Sequence, residues 1–71
     1  GGLMMKVKKS LEMAKAEALK LSKEHPTILY RVMDKKGQMA VCTGSDWVYR
    51  ERVRDGWFTV AAYQNGSEVA V

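Results

Sequence analysis

Residues 46–63 read DWVYRERVRDGWFTVAAY, and the conformation of their first half decides the fold. This stretch holds both tryptophans, two of the three tyrosines, the one phenylalanine and three of the four arginines. Read as a strand, residues 47–54 place Trp47, Tyr49, Glu51 and Val53 on one side and Val48, Arg50, Arg52 and Arg54 on the other. Asp55-Gly56 between two apolar-rich runs is then a hairpin turn. Read as a helix, Ser45 caps the start and Gly56 closes the end in the left-handed conformation. On a helical wheel Trp47 falls among Arg50, Glu51 and Arg54, a poorly amphipathic arrangement. The cleaner two-residue alternation favours the strand. Trp57 to Tyr63 continues as a strand, with Phe58, Val60 and Ala62 on one face and Trp57, Thr59, Ala61 and Tyr63 on the other.

Upstream, Thr27 to Met33 is rich in β-branched and aromatic residues and reads as a strand. A turn at Asp34-Lys35-Lys36-Gly37 returns the chain through Gln38 to Thr43. Pairing around a four-residue turn sets Val32 opposite Met39 and Tyr30 opposite Val41. On the other face it sets Leu29 against Cys42 and Arg31 against Ala40. Downstream, Asn65-Gly66 is a further turn signal, and Glu68 to Val71 either folds back as a short edge strand or frays.

The clear helix lies at residues 10–24. Leu11, Ala14, Ala18 and Leu21 follow a 3-4-3 spacing that makes one stripe. Ser10 suits the cap, Glu12 suits the positive end of the dipole, and Pro26 ends the run. The same spacing extends backward to Val7 and Met4, so residues 4–9 are read as a helical extension, although Lys6, Lys8 and Lys9 oppose the dipole there. The expected fold is α+β: one N-terminal amphipathic helix on an antiparallel sheet of three or four strands. The expected core is Leu11, Ala14, Ala18, Leu21, Ile28, Tyr30, Val32, Met39, Val41, Phe58 and Val60.

Seventy-one residues hold one domain. Residues 1–3 read as a cloning remnant ahead of a start at Met4 or Met5. A chain this short buries only about 60% of its unfolded surface. Intrachain disulfides are excluded by a single cysteine, Cys42, and a Cys/His metal site by a single histidine, His25. One helix covers one sheet face, so Leu29, Met33, Trp57 and Tyr63 on the other face predict a homodimer or another protein partner. No run of about 18 apolar residues exists to span a membrane. A free cysteine without a legible secretion signal points to the cytoplasm.

Twelve basic residues against eight acids give a net charge of +4, which permits nucleic-acid contact without demanding it. On a strand, Arg50, Arg52 and Arg54 form one cationic row beside Trp57, with Lys35 and Lys36 in the neighbouring turn. Cations bind phosphates and exposed aromatics stack on bases, so these six residues are the candidate nucleic-acid site. No catalytic group, metal or cofactor is expected. His25 with Cys42, or with Ser45 and Asp46, lacks any motif that activates a nucleophile, and neither a phosphate-binding loop nor a dinucleotide fingerprint is present. The expected function is a small non-catalytic binding module, with nucleic acid or a protein partner, itself included, as ligand.

Overall fold

The computed structural model describes residues 3–71. Five strands and two helices follow in the order β1 (Met4–Lys8), α1 (Leu11–Glu24), β2 (Tyr30–Lys35), β3 (Gln38–Thr43), α2 (Asp46–Arg54), β4 (Phe58–Gln64) and β5 (Ser67–Val69). The strands form one antiparallel sheet in the order β1-β3-β2-β4-β5. The α+β class stands as expected, with three corrections: the sheet has five strands instead of three or four, the chain enters it through a strand instead of a helix, and there are two helices instead of one.

Residues 4–8 are extended, contrary to the helical extension expected for 4–9. Ser10 Oγ accepts a hydrogen bond from Met13 N at 3.2 Å, so the helix starts at Leu11. Starting there keeps Lys6, Lys8 and Lys9 out of the first turn, where the dipole repels cations. The freed segment pairs along β3, from Met4 opposite Thr43 to Lys8 opposite Met39.

α1 buries Ala14, Ala18 and Ser22, a strip of small side chains that lets the helix lie close to the sheet. Ser22 Oγ donates to Leu19 O at 2.8 Å and accepts from Gly66 N at 3.1 Å, which ties the helix to the β4–β5 turn. Beneath the helix lie Tyr30, Val32, Val41, Ala61 and Tyr63, joined by Met4, Leu11, Leu21, Ile28, Met39 and Val60.

The β2–β3 turn is shorter than expected. Lys36 (φ 53°) and Gly37 (φ 85°) form a two-residue connection with both φ positive, the mirror-image turn that suits a twisted ladder. Val32 therefore faces Val41, and Arg31 faces Cys42, each two residues along from the expected partner. A slip of two residues preserves which face each side chain takes, so the core assignment survives it.

In β4 the register shifts between Val32 opposite Ala61 and Met33 opposite Thr59, leaving Val60 as the extra residue of a bulge. Ala61 and Tyr63 join the α1 face because of it, reversing the alternation expected for this strand. Phe58, expected in the core, ends 55% exposed opposite Asp34.

Residues 46–54 are a helix, which overturns the strand reading. Ser45 Oγ accepts from Val48 N at 3.4 Å. At the other end Trp57 N donates to Arg52 O at 3.0 Å across Gly56, whose φ is +105°. That bond and the positive-φ glycine close the helix as a Schellman cap. The helix gains its place from the sheet face opposite α1, where Met33, Ala40 and Cys42 need cover. Trp57 and Tyr49 supply it. The apolar surplus on which the homodimer was expected is thus largely absorbed within the chain: Met33 and Trp57 are buried here, and Tyr63 is buried under α1.

Candidate functional site

Successive residues of a helix turn by about 100°, so Arg50, Arg52 and Arg54 cannot form a row. Arg52 points inward. Its guanidinium donates to Thr43 O at 2.6 Å and to Met4 O at 3.1 Å, bridging β3 and β1 from α2. Arg50 and Arg54 point outward and are exposed. Arg54 Nη1 reaches Glu51 Oε1 at 3.1 Å, one turn back.

The indole beside these arginines is Trp47, not Trp57. Trp57 is 6% exposed and packs against Met33, Ala40 and Cys42. Trp47 is 68% exposed. On the helical wheel Trp47, Arg50 and Arg54 share a wedge of about 60°, on the side away from Tyr49 and Arg52. The Arg31 guanidinium stacks on the Tyr49 ring at 4.1 Å from its centroid, which fixes the inner face of α2 against β2. The two sides of α2 thus separate Arg52, which is structural like Arg31 of β2, from the available Arg50 and Arg54.

The two lysines of the candidate site sit at the β2–β3 turn. Lys35 Nζ is 3.0 Å from Asp55 Oδ2, so its charge is matched at the end of α2. Lys36 is an exposed turn residue. Over residues 46–55, Arg50, Arg52 and Arg54 balance Asp46, Glu51 and Asp55, three charges against three. The net positive charge therefore lies elsewhere, on Lys6, Lys8 and Lys9 and around the β2–β3 turn, because the three lysines of α1 are matched by Glu12, Glu17 and Glu24.

No chemistry assembles around His25 and Cys42. Cys42 lies on the α2 face of the sheet, whereas His25 caps α1 and lines a groove with Tyr30 and Met4 on the α1 face. Burial pushes the Cys42 thiol up despite opposing pulls from Arg52 and Arg31, which keeps it protonated and unreactive near neutrality. In the folded protein at pH 8 Cys42 is therefore expected to react with a disulfide reagent on the order of a hundredfold slower than in denaturant. Equal rates in both states would show the thiol to be accessible. Ser45 is spent on its cap. Among the described residues no group of acids, histidine and cysteine is placed to hold a metal ion.

An open groove of about 400 Å³ is lined by Leu3, Ile28, Leu29, Thr43, Gly44, Ser45 and Val48. Its walls are mostly aliphatic. Gly44 permits it: a Cβ there would stand 2.9 Å from Val48 Cγ1, and φ is +146°.

Of the six residues named from the sequence, Arg50, Arg54 and Lys36 are exposed, Lys35 is paired, and Arg52 and Trp57 are turned inward. Sequence reading missed Trp47 as the exposed indole and Arg52 as a structural clamp. The signal for the first was present in the helical wheel, where Trp47 groups with Arg50 and Arg54. No local signal marks the second, because its acceptors are main-chain carbonyls in β1 and β3. Among the described residues no helix is long and apolar enough to cross a membrane. No family model, no curated protein and no solved structure matches this chain.

Proposed function

We propose that this chain is a non-catalytic binding module of the cytoplasm that docks a protein partner through the outer face of α2. Trp47 is the anchor, and Arg50 and Arg54 flank it. The observation that carries the reading is a tryptophan left 68% exposed on a helix whose opposite side is fastened to the sheet. Tryptophan and arginine are the side chains that most often dominate binding energy at protein interfaces. A rigid helix also presents them with little ordering cost.

Nucleic acid is the second reading. Two outward arginines beside an indole supply a phosphate contact and a stacking surface. Against it, residues 46–55 together with the paired Lys35 carry only one net positive charge, Arg52 is committed to Thr43 and Met4, and Trp57 is buried. A second copy ranks after another protein as the partner, since Trp57 and Tyr49 already cover the Met33, Ala40 and Cys42 patch of that face.

The test is affinity capture with the native chain and with Trp47→Ala, with identification of what is retained. The expected result is a protein bound by the native chain and lost with Trp47→Ala, while Lys20→Ala retains it. A partner held equally by Trp47→Ala rejects this face. Quenching of Trp47 emission by a dodecamer of deoxythymidine, abolished in an Arg50→Glu, Arg54→Glu double variant, transfers the assignment to nucleic acid. A dimer in light scattering that Trp47→Ala dissociates transfers it to self-assembly.

A further inference from the structure

The outer edge of β1 is the second surface with a readable chemistry, and it is independent of α2. We infer that this edge accepts an extended peptide, in which acidic and apolar residues alternate, as a sixth strand. Among the described residues β1 lies at one end of the sheet, with β3 on its inner side and no strand on its outer side. An edge strand offers main-chain donors and acceptors at a two-residue interval, and an added strand completes them.

The side chains of β1 define what fits. Met5 and Val7 lie opposite Cys42 and Ala40, on the α2 face, and remain 42% and 52% exposed. Lys6 and Lys8 lie opposite Val41 and Met39, on the α1 face. There they share one carboxylate, Glu17, at 3.3 Å and 3.7 Å. The hydrogen bond from Lys6 holds the Glu17 carboxyl below its ordinary range, so it is ionised at neutral pH. Two ammonium groups against one carboxylate leave a positive balance, and exposed Lys9 follows directly. Residues directly opposite in paired strands share a face. An added strand that places acids opposite Lys6 and Lys8 and apolar residues opposite Met5 and Val7 is therefore complementary on both faces.

The same charges argue against a second copy. Antiparallel self-pairing centred on Lys6 sets Lys6 against Lys6 of the other copy, a like-charge pair that opposes association. β1 is also held ready. Arg52 fastens Met4 O from one side, and the Glu17 pairs fasten Lys6 and Lys8 from the other. A preformed edge needs little ordering when a strand is added.

The experiment titrates the full chain into a fluorescein-labelled octapeptide of alternating glutamate and valine, read by anisotropy and by amide chemical shifts. The expected result is saturable binding with shifts centred on residues 5–8. A lysine–valine octapeptide is expected to bind at least tenfold more weakly. Of two glutamate–valine peptides N-methylated at alternate residues in opposite frames, one is expected to lose binding, since main-chain bonds carry the contact. Trp47→Ala is expected to bind the peptide like the native chain, which separates this edge from α2. Absence of saturable binding, equal binding of the lysine peptide, indifference to N-methylation in both frames, or shifts centred on α2 would each overturn the inference. So would sedimentation showing a dimer whose β1 amides gain protection, which would give the edge to a second copy.

Discussion

Trp57→Ala is expected to remove about 3–5 kcal/mol of stability, the usual cost of deleting a buried tryptophan. A domain of this size holds about 4–10 kcal/mol in total, so the loss takes roughly a third or more of it and should lower the unfolding midpoint steeply. The cost is high because Trp57 is the largest cover over Met33, Ala40 and Cys42, all of which are buried. α2 carries no buried residue of its own to compensate. Trp47→Ala is the internal control: with most of its surface already in water, it should shift stability by no more than about 0.5 kcal/mol. Urea unfolding followed by far-ultraviolet circular dichroism separates the two. Similar midpoints for Trp57→Ala and Trp47→Ala would mean that the indoles do not occupy the places described. The contrast also bears on function, because a loss of partner binding in Trp47→Ala cannot then be attributed to unfolding.

The second large effect is expected at Arg52. Arg52→Ala should cost about 2–3 kcal/mol, since one charged fork serves two main-chain carbonyls and hydrogen bonds to charged groups contribute about 1.5–3 kcal/mol each. Partial exposure of the site keeps the sum below the additive maximum. Arg50→Ala and Arg54→Ala should each stay within about 0.5 kcal/mol, because Arg50 is exposed and the Arg54–Glu51 pair lies at the surface. Arg52→Lys should recover only part of the loss, as a single ammonium lacks the planar fork that spans both carbonyls. Hydrogen exchange adds a spatial readout. In Arg52→Ala the amides of α2 and β1 should exchange faster, while those of β2 and β3 keep their protection. The three arginines discriminate directly between the two conformations of this segment. On a strand they would share one face and respond alike; on α2 only Arg52 should matter to stability. Equal effects at all three positions would contradict the helix.

Much of the fold was legible from local chemistry. Ser10, the alanine–leucine stripe and Pro26 determine α1 at both ends, because capping and side-chain periodicity act within a few residues. The β-branched content of residues 27–33 and the turn signals at Asp34-Lys35-Lys36-Gly37 and Asn65-Gly66 mark two hairpins, because positive φ suits glycine and asparagine; the tighter form of the first, with Lys36 at φ 53°, has no such signal. Face assignment in β2 and β3 withstood a two-residue slip for the same reason that strands alternate.

Only tertiary structure decided the rest. Residues 46–54 fit a strand pattern more cleanly than a capped helix, and the choice is reversed by an uncovered sheet face that Tyr49 and Trp57 fill while Arg52 reaches two carbonyls. Residues 4–8 extend the helical stripe on paper, yet become a strand because β3 offers an open edge and a helix start repels three lysines. Val60 is bulged because β4 must pass from pairing Val32 to pairing Met33 out of step, and no residue within the strand announces it. The candidate site follows the same division. Composition named arginine and tryptophan as its materials; which indole meets water and which guanidinium is consumed inside depends on partners distant in the chain, and burial is a property of those contacts rather than of any residue's neighbours in sequence.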